Sequence, residues 1–246
     1  MLVDCESDPA ALAGLLRDRA GVQPVPLAEN RGFAGGANAG LARAFDGGAS
    51  HAVLLNDDVL VEPGCVDLLV AAAGSAGAAS PRIDGPEGVA FAGGELELRR
   101  GFGRHVEGAR DYLTGACICL SRAAWETVGP FEESLFLYYE DVDWCLRARA
   151  RGVPLTVALE AHASHAGGAS SGGDQGETWA YYSTRNRLWL VEQQRGAPAA
   201  RREAVRTSTR ARLRALRSSR RSVALAKLAG VRDWSEHRMG RGPWPA

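Results

Sequence analysis

Apolar and polar positions along residues 1–82 form short apolar runs separated by helical patterns. The runs "LVDC" and "HAVLLN" predict strands, and the second is expected to be fully buried because it is apolar almost throughout. Between them, "DPAALAGLLRDR" predicts a helix with Asp8 as its N-cap and Pro9 at its first position. "PGCVDLLVAAA" predicts the next helix and "GAASPRI" the next strand. This rhythm predicts a parallel, doubly wound sheet.

The pattern changes after residue 82. Glycine-punctuated residues 88–110 predict a hairpin or a flexible loop, and "YLTGACICLS" predicts a strand. "YYEDVDWCLRARARG" predicts a helix whose acidic start and basic end suit the helix dipole. "VPLTVAL" predicts a strand that leads into the loop "EAHASHAGGASSGGDQGE". "TWAYYSTRNRLWLVEQQ" then predicts an amphipathic helix.

Composition limits the class of protein. With 246 residues and 46% hydrophobic content, the chain can bury one large α/β core. It has no apolar run of about 18 residues that would predict a membrane span, and its start lacks the basic and apolar segments of a secretory signal. Five cysteines, an odd number at irregular spacing, indicate reduced thiols. We therefore expect a cytoplasmic protein.

A net charge of zero combines an acidic body with a basic tail. Residues 195–246 carry fourteen Arg and Lys against three acids, a net +11, so residues 1–194 carry −11. This shift predicts a domain over 1–194 and a basic helical extension over 195–246. Within the extension, arginines recur at steps of three and four, which predicts an arginine stripe along one helix: Arg202, Arg206, Arg210, Arg214, Arg217 and Arg221.

Three interpretations of the basic tail are open. It is a solvated helix, or it docks peripherally on anionic lipid headgroups at the inner face of the plasma membrane, or it binds nucleic acid. The last is disfavoured because no nucleic-acid recognition motif accompanies the charge.

Three polar side chains follow a predicted strand directly. Asn56, Asp57 and Asp58 come immediately after the apolar run "HAVLL". Adjacent carboxylates repel each other unless water or a cation compensates them. The sequence therefore favours a divalent metal site at the carboxyl end of this strand, with Asp58 as the best single ligand, although a solvated turn is the simpler alternative.

A second acidic cluster opens the helix that begins near residue 140. Glu140, Asp141 and Asp143 lie in its first turn, where unpaired backbone N–H groups favour carboxylates. Helix capping alone is one explanation. Three acids exceed what capping requires, so a chemical role is the other.

In chain order, these motifs resemble glycosyltransferase family 2, particularly its rhamnosyltransferase-like branch. The similar segments are "VDCESDP", "ENRGFAGGANAG", "LLNDDVLVEPG", residues 114–152, "HAGGAS" and "YYSTRNRLWL", and they extend over roughly residues 1–194. Each motif is weak alone, but this many in one order form a specific signal. The resemblance implies an α/β fold of GT-A type: a Rossmann-like, mostly parallel sheet flanked by helices, here N-terminally truncated and followed by the basic tail.

The resemblance also implies a role for each matching residue. Asp58 and His165 would bind a divalent metal, Mg²⁺ or Mn²⁺, whereas His162 competes less well because no Gly-Gly follows it. Asp141, beside Glu140, would be the general base of an inverting sugar transfer. The remaining nucleotide-sugar-binding candidates are Asp4, Asn38, Asn56, Asp57, Gly115 and Ala116, of which the last two would face the donor sugar through their backbone amides.

Four of these residues have equally simple structural interpretations. Asp4 is also explained as a strand-end residue, Asn38 as a residue that fixes its loop, and the Gly115-Ala116 pair as tight packing. Arg185 and Asn186 are assigned either to the acceptor side or to an ion pair on a helix surface. The glycine-rich "GFAGG" is not a phosphate-binding P-loop, since no Gly-Lys-Ser/Thr follows it.

The implied partners are a dTDP- or UDP-sugar donor and a glycan or lipid-linked acceptor.

One departure from the family pattern is serious: the family opens with a strand and a helix before the segment that matches Leu2–Pro9, and this sequence has neither. We favour a start recorded downstream of the true one. The alternatives are an inactive remnant and a binding module that a partner chain completes.

Overall fold

The computed structural model describes residues 1–17, 19, 21–86, 88–165, 176–216 and 220–244. Strands and helices alternate through its first half as predicted, apart from one additional short strand at Val59–Val61. Asp8 caps the first helix, since its Oδ1 accepts a hydrogen bond from the Ala10 N–H over 2.9 Å. The elements are β1 Leu2–Cys5, α1 Pro9–Arg17, β2 Pro24–Leu27, α2 Gly32–Asp46, β3 His51–Leu55, β4 Val59–Val61, α3 Cys65–Ala73 and β5 Ala78–Gly85.

The second half contains the predicted hairpin, formed by antiparallel pairing of β7 (Gly94–Glu97) and β8 (Phe102–His105). Across the described residues, none of the helices combines the length and the apolar character that crossing a bilayer requires. The elements are β6 Gly88–Phe91, β7 Gly94–Glu97, β8 Phe102–His105, β9 Cys117–Ser121, α4 Arg122–Val128, a 3-10 turn Glu133–Leu135, α5 Glu140–Ala150, β10 Leu155–His165, α6 Glu177–Arg195, α7 Ala197–Ala215 and α8 Arg221–Ser235.

The central sheet has the strand order β3-β9-β5-β10-β4, with β6 added to β5. Strands β3, β5 and β10 point in one direction, whereas β9, β4 and β6 run against them. Because β9 lies between β3 and β5, only β5 and β10 are direct parallel neighbours in this sheet. The sheet is therefore mixed, and its three co-directional strands carry the α/β character that the sequence predicts.

Strands β1 and β2 form a separate, parallel two-stranded sheet. Helix α2 packs against both β1 and β3, yet no backbone ladder joins these two strands in the described residues. The expectation that β3 is fully buried was wrong. It is half-buried, and Leu55 is 42% exposed, because among the described residues β3 pairs with β9 alone and so forms an edge of the sheet.

The segment that ends at His165 also differs from the prediction. Residues 160–165 were expected to form a loop, but β10 continues through them to His165. Its pairing with β5 shifts register between Ala158 and His162, and its last residues pair with β4, a short strand that the sequence did not predict. Tertiary pairing thus extends the strand beyond its apolar stretch.

Helix α6 is enclosed rather than amphipathic. Twelve of its residues are buried, because both α7 and α8 pack on it. The basic region, predicted as one arginine-striped helix, contains two: α7 and α8. Arg217, a member of the predicted stripe, lies outside the described residues.

Glycines let α2 approach its neighbours closely. Gly32 has φ +70°, and a Cβ there would overlap the Phe136 carbonyl oxygen; a Cβ at Gly36 would lie 2.9 Å from Cys5 Sγ. The "GFAGG" motif therefore places the start of α2 against the segment that leads into α5. This is a packing role.

We expect Gly32→Ala to destabilise the fold more than Gly48→Ala. Both residues have positive φ, but nothing lies within 4 Å of a Cβ at Gly48 (φ +93°). Each variant incurs the backbone cost of a left-handed residue, about 1–3 kcal/mol, and only Gly32→Ala adds a steric overlap. Urea unfolding of both variants measures the difference, and equal losses of unfolding free energy would contradict the proposed role of Gly32.

Candidate active site

Asp58 and His165 meet where the chain turns from β3 into β4. Asp58 precedes β4, and His165, at the end of β10, pairs with Val59 across the antiparallel ladder. This register places Asp58 Oδ1 3.0 Å from His165 Nε2. The two candidate metal ligands, 107 positions apart in the sequence, are therefore neighbours.

The contact fits a cation better than a hydrogen bond. Asp58 Oδ1 and His165 Nε2 are both buried, and neither makes a hydrogen bond within the described part of the chain. Their distance also allows an ion pair if the imidazole is protonated, but hydrogen-bond geometry is not met. Two adjacent ligands of an octahedral ion, each bound at about 2.1 Å, lie about 3 Å apart. The pair therefore suits a divalent ion, which would satisfy both atoms.

Protein ligands for such an ion are few. No group of three or more His, Cys, Asp or Glu side chains suited to a metal occurs in the described ranges. His162 faces Asp84, with 4.0 Å between Nδ1 and Oδ2, and not Asp58. Its position agrees with the preference for His165. The Gly-Gly pair that follows His165 in the sequence lies outside the described residues.

Asp141 lies at the start of α5, against the segment that precedes β9. Its Oδ2 accepts a hydrogen bond from the Gly115 N–H over 2.9 Å. A Cβ on Gly115 would lie 3.1 Å from the Phe33 ring and 3.5 Å from the Asp141 Cβ, so the close approach favours glycine. The next residue, Ala116, accepts the Asn56 N–H over 2.9 Å. Two adjacent residues thus connect Asp141 to the Asn56–Asp58 turn.

The backbone amides of Gly115 and Ala116 are not free. Gly115 N–H donates to Asp141, and Ala116 N–H donates to Thr114 Oγ1 over 3.2 Å. This differs from the expectation that both amides face the donor sugar. Their hydrogen bonds serve the protein instead, and the bond from Gly115 orients the Asp141 carboxylate.

Burial controls the electrostatics of the acidic cluster. Glu140 is only 5% exposed, and its Oε2 makes no hydrogen bond within the described residues. Burial, together with the nearby Asp141 carboxylate, raises the pKa of Glu140 well above its usual range. Burial also raises the pKa of Asp141, although hydrogen bonds from Gly115 and Val142 and the charge of His105 oppose the shift. Burial therefore disfavours a negative charge on both of these adjacent carboxyls at once.

The third acid of the cluster has a structural explanation. Asp143 pairs with Arg147 one turn later, with 2.8 Å between Oδ2 and Nε. Arg147 also donates to the carbonyl oxygens of Val128 and Pro130. Asp143 therefore anchors α5, and Glu140 and Asp141 remain as the acids without such a pairing.

The other nucleotide-sugar candidates have mixed surroundings. Asn38 is buried; its Oδ1 accepts the Phe131 N–H over 2.8 Å, and its Nδ2 donates to the Phe131 carbonyl and to Glu133. Asp4, at the end of β1, accepts the Ser7 N–H over 3.2 Å. Asn56 is half-buried and Asp57 is exposed beside Asp58. Nucleotide contact at these four residues stays a prediction.

Two residues that the sequence assigned either to the acceptor side or to an ion pair on a helix surface are in fact completely buried. Arg185 and Asn186, on α6, are both 0% exposed. Their side chains donate to carbonyl oxygens of residues 135–138, just before Glu140 and Asp141. No local sequence signal marks this burial, because it results from the packing of α7 and α8 on α6.

Known proteins with similar sequences include glycosyltransferases. The chain is 33% identical over 148 residues to an uncharacterized protein of Mycobacterium tuberculosis, covering 56% of this chain and 55% of that protein. It is 29% identical over 150 residues to the low-salt glycan biosynthesis hexosyltransferase of Haloferax volcanii, covering 55% and 49%. It is also 26% identical over 211 residues to N-acetylglucosaminyl-diphospho-decaprenol L-rhamnosyltransferase of M. tuberculosis, covering 71% and 68%. No protein-family model matches the chain.

Solved structures share the fold at low sequence identity. A structure of GalNAc-T7 with UDP, GalNAc and Mn²⁺ matches with a TM-score of 0.60 at 15% identity, covering 78% of this chain and 41% of that one. The mannosyltransferase PcManGT from Pyrobaculum calidifontis, in complex with GDP-Man and Mn²⁺, matches with a TM-score of 0.51 at 14% identity, covering 96% and 76%.

These comparisons confirm the α/β fold of GT-A type and the resemblance to family 2 glycosyltransferases. The chain spans about half the length of the first of these relatives. Two of the three relatives are named for hexosyl and rhamnosyl transfer.

We expect Glu140→Gln to stabilise the protein at neutral pH. Because the folded state raises the pKa of Glu140, the ionised carboxylate opposes folding once the pH exceeds about 4.3, the usual pKa of Glu. The stabilisation should therefore be absent near pH 4 and grow as the pH rises. Thermal unfolding followed by circular dichroism between pH 4 and 8 measures it.

Glu133→Gln is the matched control of opposite sign. Burial by itself would raise the pKa of Glu133, but hydrogen bonds from Asn38 and Arg31 outweigh burial, so the pKa is lowered. Its ionised form therefore favours the folded state, so this variant should destabilise at neutral pH and lose its effect as the pH falls. If both variants shift the melting temperature in the same direction at pH 7, the assignment for Glu140 is wrong.

Proposed function

We propose that this protein is a metal-dependent, inverting glycosyltransferase that moves a sugar from a nucleotide-diphosphate donor, a dTDP- or UDP-sugar, to a glycan or lipid-linked acceptor. The observation that supports this most directly is the meeting of Asp58 and His165 at the turn that Asn56 and Ala116 connect to Asp141. The named hexosyltransferase and rhamnosyltransferase relatives support the reaction class.

Asp58 and His165 would hold the divalent ion, Mg²⁺ or Mn²⁺. When bound, such an ion neutralises the negative charge that develops on the leaving nucleoside diphosphate. Asn56 and Asp57, in the same turn, would contact the ribose or the diphosphate. Asp4 and Asn38 are the further residues proposed for the nucleotide.

Asp141 acts as the general base in this proposal. Its carboxylate accepts the proton of the acceptor hydroxyl while the hydroxyl oxygen forms a bond to the anomeric carbon. The bond from that carbon to the diphosphate oxygen breaks on the opposite face, so the anomeric configuration inverts. A pKa raised by burial makes Asp141 a stronger base near neutral pH than an exposed aspartate. Glu140, whose pKa burial raises well above its usual range, adds no second negative charge beside Asp141 when it is protonated.

A second candidate function is a binding module of the same fold that another chain completes. The observation that favours it is that β1 and β3 each pair on one side only in the described residues. Donor binding without turnover by the purified chain would support this module. Release of nucleoside diphosphate during sugar transfer would support the enzyme.

We further propose that α7 docks this enzyme on an anionic membrane that displays a lipid-linked acceptor. Its inner face is built of buried alanines that pack on α6 and α8. On its outer face, Val205 is 66% exposed, Leu213 62% and Leu216 83%. At 100° per residue Val205, Leu213 and Leu216, the residue that follows α7, lie within one sector that also contains the exposed Arg202. Further exposed arginines flank the sector on both sides: Arg201 and Arg212 on one, Arg206 and Arg210 on the other.

This arrangement suits a bilayer surface better than water or a nucleic acid. Aliphatic side chains enter the headgroup boundary while arginines contact lipid phosphates. Each arginine near the surface contributes about 1 kcal/mol to the free energy of membrane binding. An exposed aliphatic sector has no favourable use against a phosphodiester backbone. Docking of this kind makes the localisation peripheral.

We expect Asp141→Asn and Asp58→Ala to abolish sugar transfer while leaving the fold intact. Asp141→Asn keeps an acceptor for the Gly115 N–H but cannot take a proton, so transfer should fall by about 10²–10⁴-fold or more. In the wild type, kcat/KM should fall as the pH drops through the raised pKa of Asp141. Released nucleoside diphosphate measures both effects across a set of dTDP- and UDP-sugars.

The two histidines provide a matched pair for the metal site. His165→Ala should weaken Mn²⁺ binding in calorimetry, whereas His162→Ala should not, because His162 faces Asp84. Full turnover by Asp58→Ala or Asp141→Asn would overturn the roles given to them. Equal loss of Mn²⁺ binding in the two histidine variants would overturn the choice of His165.

For membrane docking, we expect the full chain to sediment with phosphatidylglycerol vesicles and not with neutral phosphatidylcholine vesicles. The double variant Leu213→Asp/Leu216→Asp should weaken binding by about tenfold or more, since each buried aliphatic side chain contributes about 1.5–3 kcal/mol. Val89→Asp, at a 48% exposed residue of β6, is the control and should bind as the wild type does. Equal binding of both variants, or stronger binding to DNA than to vesicles, would contradict the proposal.

A further inference from the structure

The segment that leads into α5 has an unusual backbone. Phe136, Tyr138 and Tyr139 all have positive φ, at 67°, 67° and 76°. Phe136 combines its φ with ψ −57°, and the Leu137 N–H donates to the Leu135 carbonyl over 2.8 Å. This is the strained form of the γ-turn, in which bulky residues are rare. Residues 135–139, which we call the γ-turn segment, persist in this form only if their surroundings hold them.

Asn186 supplies much of that restraint. Its Nδ2 lies 2.9 Å from the Leu135 carbonyl oxygen, 2.8 Å from that of Leu137 and 2.7 Å from that of Tyr138. Two N–H groups thus serve three carbonyl oxygens that point in one direction. A regular helix or strand does not direct its carbonyls in this way, so the side chain fits this backbone and few others.

Arg185 provides the second restraint and fixes Asn186. Its Nη2 donates to the Leu135 carbonyl over 2.9 Å, and its Nε donates to Asn186 Oδ1 over 3.0 Å. Its Nη1 donates to the Gly240 carbonyl over 2.7 Å. The guanidinium also lies over the rings of Tyr181 and Tyr182, 5.4 and 5.0 Å from their centroids.

The C-terminal region therefore contributes to the same network. Tyr181 donates its hydroxyl to Asp233 of α8 over 2.6 Å, and a Cβ on Gly230 of α8 would lie 2.6 Å from the Tyr181 carbonyl oxygen. Phe136 in turn stacks on Tyr182, with 5.4 Å between ring centroids. Helix α8 thus holds Tyr181, and Tyr182 beside it stacks on Phe136 of the γ-turn segment.

The γ-turn segment sets the first turn of α5. The Tyr139 carbonyl accepts the Asp143 N–H over 2.9 Å, which starts the helix. Asp141 is two residues after Tyr139, and its carboxylate is held by the Gly115 N–H. Relaxation of the γ-turn segment would rotate this first turn and move the carboxylate away from Gly115.

We infer that Arg185 and Asn186 are positioning residues that keep Asp141 in place by clamping the γ-turn segment. The consequence for sugar transfer rests on the proposed role of Asp141 as the base. The clamp itself is a structural relation that can be measured without turnover.

The experiment compares Asn186→Ala with Trp234→Phe in the full chain. Trp234→Phe is the matched control because it also removes a hydrogen bond to α6, from Trp234 Nε1 to Glu192, and Trp234 packs in a cluster with Leu188 and Val191 that is separate from the cluster around Phe136. Hydrogen exchange at the Gly115 amide reports directly on its bond to Asp141. We expect exchange to be roughly tenfold or more faster in Asn186→Ala and unchanged in Trp234→Phe.

Kinetics give the second readout. In Asn186→Ala, kcat should fall by about 10²-fold, as a misplacement of about 1 Å can cause, while KM for the donor and donor affinity in calorimetry stay near those of the wild type. The acid limb of the pH profile should also move, because a displaced Asp141 loses both its burial and the Gly115 hydrogen bond that lowers its pKa. If the substitution only unfolded part of the protein, the fraction of active molecules would fall and the acid limb of the pH profile would stay in place.

Each outcome decides the proposal. Unchanged Gly115 exchange in a folded Asn186→Ala protein overturns the clamp, as does an equal change in Trp234→Phe. If Asn186→Ala does not fold, Arg185→Lys, which keeps the charge and loses the fork of donors, takes its place with the same two readouts. Faster Gly115 exchange in a protein that never transfers sugar would support the clamp and refute the proposed function.

Discussion

The strained backbone of residues 135–139 is the constraint on which the candidate site depends. It touches three parts of the chain that are far apart in sequence: the start of α2 at Gly32, the buried pair Arg185 and Asn186 on α6, and the start of α5. Strained backbone requires compensation from several sides. Here that compensation ties the packing of α2 and the C-terminal helices to the position of one carboxylate, Asp141.

The site combines two kinds of electrostatic arrangement. At Asp58 and His165, two buried polar atoms point at each other without a hydrogen bond, which leaves them suited to a shared cation. At Glu140 and Asp141, burial raises the pKa of two adjacent carboxyls and so favours a proton over a second negative charge. The first arrangement suits the charge of a leaving diphosphate, and the second suits the acceptance of a proton. Ala116 and Gly115 lie between the two.

Several motifs that look like ligand-binding loops are used for packing. Gly32 and Gly36 allow α2 to approach Phe136 and Cys5, and Asn38 bridges both backbone groups of Phe131. In each case the small or amide side chain serves a contact that a larger residue would prevent. Similarity in such motifs therefore indicates a shared architecture as much as a shared ligand. The solved structures, which match this fold at about 15% identity, are consistent with this view.

The sequence by itself determined what depends on local pattern. Asp8 and Pro9 predicted the start of α1, apolar runs predicted β3 and β9, and the acids at residues 140–143 predicted the start of α5. These features follow from hydrogen bonds and side-chain periodicity within a few residues. Asp58, Asp141 and His165 were also chosen from the sequence, through the order of motifs and not through any measured proximity.

Only the tertiary structure decided which backbone and side-chain groups pair with other parts of the protein. It extended β10 to His165 through pairing with β4, exposed β3 at a sheet edge, and turned the Gly115 amide towards Asp141. It also buried Arg185 and Asn186, whose partners lie about fifty positions earlier in the chain. Such outcomes depend on contacts between elements distant in sequence. No local pattern encodes them, because a buried arginine and a surface arginine look alike until the surrounding helices and loops are in place.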